Sequence, residues 1–333
     1  MKEKSVLFYL PSGTLNDATE YYVGILEEAF KIKGFTVFYS DDINKVSKYN
    51  YILTIEAKHF LKVKLKNPSA KVMNWFQGVV AEEALLTTNS LLRKKVWQLY
   101  ELFTLRFSSL NFYVSESMRL YFEKHYKIKN QKFFIMPCFN KQLNIDFIDE
   151  KKYKSASFVY AGSMSKWQCV EETICLYSEI EKKIPQSSLT ILTKEIALAQ
   201  ELIKKYGIKK YNIKYVALKQ LDDELRKYKY GFLIRNEHIV NKVATPTKMS
   251  SYLALGIIPI YTDTIDDFCE NFSHFQSFLK LNHLEMTKWS DQIIDYENKF
   301  DDSILREYQE SVNQVFLDYY SRDQYIEKLK MLL

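Results

Sequence analysis

Glycine and proline are scarce in this 333-residue chain, at 8 and 6 residues. That excludes collagen-like repeats and Pro/Gly-rich disordered tracts. Cysteine is scarcer still: Cys138, Cys169, Cys175 and Cys269 form no CxxC pair and have no histidine at metal-ligand spacing. Neither a disulfide framework nor a zinc site is suggested, and the four read as reduced, mostly buried thiols. Long apolar runs are absent too; the longest, Tyr252–Tyr261, is roughly half of what a bilayer requires. The apolar start ends at Pro11 without a small-residue cleavage site, so it reads as a first strand and not as a signal peptide. There is no GxGxxG and no Walker lysine, which removes the strongest support for nicotinamide or P-loop binding. There is no D-x-D tripeptide either, so no carboxylate pair is set out to hold a divalent metal on a diphosphate.

What is present is a globular composition, 47% hydrophobic and 26% charged. The length suits two domains of roughly 150 residues. The net charge of +6 is uneven: Lys58 to Lys141 carries 15 Lys/Arg against 5 Asp/Glu. Such a segment suits an anionic lipid surface, a diphosphate-lipid or nucleic acid, or is simply a soluble basic face. No nucleic-acid-binding motif accompanies it, so no nucleic-acid partner is expected.

Short β-branched and aromatic runs alternate with longer amphipathic ones, the pattern of βα units feeding parallel sheets. Strands are expected at 5–10, 35–39, 51–55, 71–75, 111–114 and 133–136, with helices near 16–33, 88–107 and 115–125, the last capped at Ser115. The polar stretch Asp146–Ser155 reads as a linker. A second series follows, with strands near 157–161, 188–192, 212–216, 230–234 and 257–261, and helices near 168–184, 194–206, 220–228 and 247–255. From about 285 the chain reads as helix, its aromatics, among them Tyr296, Tyr308, Tyr320 and Tyr325, serving as core. The expected architecture is α/β: two doubly wound Rossmann-like domains, 1–150 and 151–300, facing a cleft, with a helical tail, 301–333, packing back across them. Ligands of such sheets lie at the carboxyl ends of the strands.

Two segments there could carry chemistry. In the first, a strand ends at Arg235, a polar loop with Asn236, Glu237 and His238 follows, and a helix opens with Thr245 as N-cap candidate and Pro246 at its first position. Free N–H groups at that helix start, with Arg235 and Lys248, could hold a phosphate. An ordinary capped helix with solvated basic residues explains the same letters. The second segment is the turn Ala161-Gly-Ser-Met-Ser-Lys166, where Gly162 allows close backbone approach and Lys166 could reach a phosphate. Many βα units have such a turn.

Together these segments resemble the nucleotide-sugar-binding half of GT-B glycosyltransferases, in particular glycosyltransferase family four and related enzymes of bacterial capsule and O-antigen synthesis. The matching letters are Pro246, Lys248, Tyr252-Leu-Ala-Leu-Gly256 and Pro259, with Asn74-Trp-Phe-Gln-Gly78 and Phe112-Tyr-Val-Ser115 in the first half. The resemblance implies a GT-B fold and a hexosyltransferase acting on a nucleotide-sugar such as a UDP-sugar. It also implies retention of anomeric configuration and a glycan or lipid-linked saccharide acceptor. With no D-x-D pair, the leaving-group charge is expected to be met by Arg235, Lys248, Lys166 and the helix end, Arg235 and Lys248 foremost, with no metal or other cofactor. The donor-binding set is Gly162, Ser163, Lys166, Arg235, Asn236, Glu237, Pro246, Thr247, Lys248, Ser251 and Tyr252.

Two departures stand out. The family's paired glutamates are replaced by Val243 and Ser251, with Glu237 as a candidate substitute, and Ser163 follows Gly162 with the lysine at Lys166. On the acceptor side, Gly13, Gln77, Gly78 and Glu82 lie at the ends of first-domain strands, where Glu82 or Glu83 could orient a hydroxyl or simply be a solvated helix turn. The alternatives are a catalytically silent GT-B scaffold or sugar-binding subunit, and a GT-B sugar-nucleotide epimerase, which would need carboxylates or histidines placed for proton transfer. The expected location is the cytoplasm, with peripheral contact to an anionic inner membrane face as a hypothesis resting on Lys62, Lys64, Lys66, Arg93, Lys94 and Lys95.

Overall fold

The computed structural model describes residues 4–15, 17–129, 132–143 and 150–333. The chain forms two compact units: Met1–Asn140 with Lys242–Thr245 and Ser321–Leu333, and Lys141–Asn241 with Pro246–Tyr320.

In the first unit the strands are β1 (Lys4–Tyr9), β2 (Phe35–Ser40), β3 (Tyr51–Thr54), β4 (Lys71–Phe76), β5 (Leu110–Tyr113) and β6 (Phe133–Ile135). They form one parallel sheet in the order β2-β1-β3-β4-β5-β6. The central strands are buried almost throughout, as Val6, Leu7, Phe8, Ile52, Leu53, Val72 and Phe112 show. Parallel strands covered on both faces read as continuous apolar runs for this reason.

The helices are α1 (Asp17–Ile32), α2 (Ala57–Lys66), α3 (Val80–Thr88), α4 (Leu91–Phe107) and α5 (Glu116–Tyr126). The helix expected at 88–107 starts at Leu91, because Asn89 turns left-handed (φ 51°) and ends α3 while the Ser90 hydroxyl caps the next helix by accepting from the Arg93 N–H at 3.3 Å. Ser115 does cap α5, accepting from the Met118 N–H at 3.0 Å.

The second unit holds β7 (Ser157–Ala161), β8 (Ser188–Leu192), β9 (Tyr211–Lys214), β10 (Tyr230–Leu233), β11 (Ile258–Thr262) and β12 (Leu279–Leu281). These too are all parallel, in the order β12-β11-β10-β7-β8-β9. Its helices are α6 (Val170–Lys183), α7 (Ile196–Tyr206), α8 (Leu218–Leu225), α9 (Ile239–Lys242), α10 (Lys248–Ala254), α11 (Asp266–Phe272), α12 (Trp289–Lys299) and α13 (Asp302–Asp318). Three-residue β12 and the short α9 and α11 give too little pattern to read from sequence.

Residues 146–149 of the expected linker lie outside the described residues. The rest of it, Glu150–Lys154, is a 3-10 turn built into the second unit: the Lys152 ammonium and the Tyr153 hydroxyl donate to the carbonyls of Leu255 (2.5 Å) and Gly256 (2.6 Å). The C-terminal segment divides. In α13, Leu305, Tyr308, Val312 and Val315 are buried in the second unit, and the Tyr308 hydroxyl donates to the Ile257 carbonyl at 2.9 Å. Only the last helix, α14 (Arg322–Leu332), belongs to the first unit; Tyr325 packs on Phe134 and Phe139, and Arg322 pairs with Glu28 on α1. All four cysteines are free; Cys138 and Cys169 are buried, Cys269 is half-buried and Cys175 is exposed. Among the described residues no helix is long and apolar enough to cross a membrane.

Candidate functional site

In the second unit the chain winds outward from β7 through β8 to β9, then returns to place β10 on the other side of β7. The loops leaving β7 and β10 therefore part at a topological switch point, where open α/β sheets bind ligands. Gly162 follows β7 with φ +149°, and its N–H donates to the Leu192 carbonyl at 2.9 Å. Arg235 follows β10 and is 3% exposed. Its backbone is pinned by β11: the Thr262 hydroxyl accepts from the Arg235 N–H at 2.9 Å and donates to its carbonyl at 2.8 Å, while Thr264 donates to the same carbonyl at 3.0 Å.

The guanidinium is aimed at the turn after β7. It donates to the Gln168 carbonyl (3.1 Å), to the Ile234 carbonyl (2.9 Å) and, through Nη2, to the Gln168 side-chain oxygen (2.9 Å). The Lys248 ammonium donates to that same oxygen at 2.6 Å and lies 4.1 Å from the centre of the Tyr160 ring. Tyr160 in turn donates to the Ser163 carbonyl at 2.6 Å, holding the turn. Two cations thus share one neutral amide oxygen, and among the described residues neither pairs with a carboxylate. Burial, followed by the Arg235 charge, holds the Lys248 ammonium well below its ordinary pKa, and burial also lowers that of Arg235. Enclosed positive charge without a counter-ion is costly, and an anion would relieve it.

Other residues expected at this site fall in different places. Lys166 is exposed, and no hydrogen bond ties its ammonium to the Arg235–Lys248 pair. Ser163 exchanges a hydroxyl contact with Ser165 at 3.0 Å. Asn236 donates to Glu172 at 2.6 Å, and its N–H reaches the Cys169 sulfur at 3.2 Å. Glu237 is exposed, 3.5 Å from His283, which also contacts Asp263 at 2.7 Å. Tyr252 is 1% exposed, packs against Gly231 and donates to the Phe232 carbonyl at 3.4 Å, so it supports β10 as core instead of lining an open face. Thr245 is not the helix cap: its hydroxyl accepts from the Cys138 N–H at 3.0 Å in the first unit. The helix α10 begins two residues beyond Pro246; Thr247 precedes it with no side-chain cap, and Ser251, in its first turn, donates its N–H to the Thr247 carbonyl at 3.0 Å. Gln168, Tyr160, Thr262 and Thr264 were not singled out from sequence; only their positions at strand and turn ends could have drawn attention.

In the first unit, Gln77 and Gly78 follow β4 and line a cavity of about 340 Å³ with Thr14, Glu56, Lys58, Glu83, Trp97 and Glu101. Gly13, at φ +84°, shapes the turn that delivers Thr14. The Thr14 hydroxyl and the Gln77 amide nitrogen are buried without a partner among the described residues. Glu83 leans over Gly78, so closely that a Cβ there would lie 2.1 Å from its Oε1, and burial raises its pKa. Glu101 accepts from the Ala81 N–H at 2.9 Å and from the Tyr126 hydroxyl at 2.5 Å, yet burial still pushes it up to about 7. Glu82 is turned away from this cavity, paired with Lys94 at 2.8 Å and accepting from Tyr121 at 2.9 Å. It ties α3 to α4 and α5, and Glu83 is the carboxyl at the cavity.

No family model matches the chain, and no curated protein matches it in sequence. Solved structures do. Sucrose-phosphate synthase from Thermosynechococcus elongatus superposes with a TM-score of 0.73 at 10% identity, over 99% of this chain and 98% of that one. HepE of Anabaena, solved in complex with UDP-glucose, gives 0.71 at 11%, over 99% and 100%. The fold is GT-B. A third GT-B neighbour, a TarM variant of S. aureus in complex with fondaparinux, alpha-GlcNAc-glycerol and UDP, gives 0.65 at 12% identity over 84% of this chain. The chain spans 55% of the length of that structure and 58% of another TarM structure. At these identities the likeness establishes the GT-B architecture alone.

Proposed function

We propose that this GT-B chain is a glycosyltransferase that takes its sugar from a nucleoside diphosphate donor. The observation that carries the reading is the pair Arg235 and Lys248, two enclosed cations sharing the Gln168 amide oxygen at the switch point of the second sheet. A diphosphate offers what that oxygen lacks, full negative charge and several acceptors for the guanidinium fork and the ammonium. Charge builds on the same diphosphate as the glycosidic bond to it breaks, so donors fixed beforehand lower the barrier at that step. On this reading the cations meet the leaving-group charge without a metal ion.

UDP is the nucleotide we propose, in keeping with the UDP or UDP-glucose bound by the neighbours HepE and TarM. The acceptor is a saccharide, free or lipid-linked, of a bacterial surface polysaccharide, and transfer retains anomeric configuration. The first-unit cavity supports a hydroxylated acceptor: the Thr14 hydroxyl and Gln77 amide lack partners, and Glu83 and Glu101 are held toward their neutral, hydrogen-bond-donating forms. The test is a thermal-shift titration with UDP, GDP and CDP and their sugar conjugates, with and without chelator. Stabilisation by a uridine diphosphate that survives the chelator supports the reading; no shift with any nucleotide would overturn it.

A further inference from the structure

The first unit carries an apolar face that is largely exposed, with Phe103 half-buried against Phe60 at its base. Along α4, Leu92, Val96, Leu99, Phe103 and Phe107 recur at steps of three and four residues and so share one side of the helix. Leu92 is 74% exposed, Leu99 66% and Phe107 50%. Beside them α2 contributes Leu61 and Leu65, and between the two helices runs a groove of about 510 Å³ lined by Leu61, Val96, Leu99, Leu102, Phe103 and Phe107 with Arg106 among them. This is the reverse of the usual arrangement, in which a helix turns its apolar stripe inward.

The exposed charges on α2 and α4 have one sign. Lys62, Lys66, Arg93, Lys95 and Arg106 are exposed. Helix α2 contains no acidic residue, and the single acid of α4, Glu101, is buried. Not every lysine of the basic segment contributes: Lys64 is spent on the carbonyls of Pro68 (3.1 Å) and Ala70 (2.8 Å), and Lys94 on Glu82.

We propose that the α2–α4 face docks on an anionic bilayer surface, its leucines and phenylalanines entering the headgroup boundary and its lysines and arginines meeting lipid phosphates. A stripe of Leu and Phe flanked by Lys and Arg is the composition that lies in a membrane interface, each near-surface cation adding attraction that salt screens. A second copy is the poorer occupant: a two-fold interface sets the same patch against itself, here basic residue against basic residue with no exposed acid on either helix to answer it. The inference is independent of the donor site.

The experiment is vesicle co-sedimentation of the full chain with phosphatidylglycerol/phosphatidylcholine vesicles, with pure phosphatidylcholine vesicles as comparison, at low and high salt. Binding is expected to the anionic vesicles and to fall with salt. Both Leu92→Ser/Leu99→Ser and Arg93→Glu/Lys95→Glu should raise the lipid concentration for half-binding at least tenfold, while Lys204→Glu/Lys219→Glu, on exposed second-unit residues, and Arg235→Ala leave it unchanged. The substituted leucines, arginine and lysines are exposed, Arg235 belongs to the second unit, and melting curves check that each variant is folded. Absence of wild-type binding to anionic vesicles, or equal loss in the second-unit control, would overturn the proposal. So would a concentration-dependent dimer that Leu92→Ser/Leu99→Ser dissociates without any vesicle binding.

Discussion

Gly162 and Lys248 compete for one space: a Cβ on Gly162 would sit 2.8 Å from both the Cε and the Nζ of Lys248. The glycine also holds φ +149°, where an L side chain is strained by about 1–3 kcal/mol. Gly162→Ala is therefore expected to displace the ammonium from Gln168 and to weaken nucleoside diphosphate binding at least tenfold, read by calorimetry. Gly24→Ala, inside α1 with nothing within 4 Å of the new carbon, should leave binding unchanged and stabilise the fold by roughly 0.5–1 kcal/mol.

Arg235→Ala and Lys248→Ala should each weaken diphosphate binding by about 1–3 kcal/mol, the range for a lost charged hydrogen bond. Because both donate to one Gln168 oxygen, the double variant should fall short of the sum. Strict additivity in the calorimetric cycle would mean that the two cations do not act on one ligand group.

Proton linkage gives a separate handle on Lys248. Its folded-state pKa is depressed, so between that value and the unfolded 10.5 the unfolded chain binds more protons. The contribution of this residue to ligand-free stability therefore rises with pH. Diphosphate prefers the charged ammonium, so its affinity should decline with rising pH before the ordinary lysine range is reached. Lys248→Arg, which keeps its charge, should flatten that decline in calorimetric titrations across pH.

Gln168 stands where an anion is wanted. Gln168→Glu puts a carboxylate between the two cations, and the expected results have opposite signs: a higher melting temperature without ligand, and nucleoside diphosphate binding weakened at least tenfold. A variant that binds nucleotide as wild type does would show that the Gln168 oxygen and the diphosphate do not share the cations.

The sequence carried the strand pattern well because parallel strands buried on both faces are uninterrupted apolar runs; β7 and β8 fall at the expected residues. Helix α2 was expected only as filling the gap between two strands and could not be delimited, since four of its ten residues are lysine and Glu56 makes no side-chain cap hydrogen bond. Arg235, Lys248 and Gly162 could be picked out because charge and small size at strand ends and helix starts are visible in letters. Gln168 could not, for an amide acquires its meaning only from the two cations that converge on it. Thr245 was mistaken for a cap because nothing in its neighbours shows that Lys242–Thr245 returns to the first unit. Glu82 and Glu83 are adjacent letters, but one residue is about 100° of helix rotation, which sends one carboxylate to Lys94 and the other over Gly78.

Glu101 allows the electrostatics of the first-unit cavity to be tested without any ligand. Burial, with Glu83 and Glu82 nearby, pushes it up to about 7 from 4.5, against the lowering effect of the Tyr126 and Ala81 hydrogen bonds. Between those two values the folded protein binds the proton more tightly than the unfolded chain, so wild type loses stability as pH climbs through this window, by on the order of 3 kcal/mol at most. Glu101→Gln is nearly isosteric: its oxygen can still accept from the Ala81 N–H while its amide donates to the Tyr126 hydroxyl. The variant should match wild type near pH 4.5 and exceed it in denaturant midpoint by pH 8. Parallel curves across the window would show that the Glu101 carboxyl is already charged when folded, and the hydrogen-bond-donating role argued for it in this cavity would fall with it.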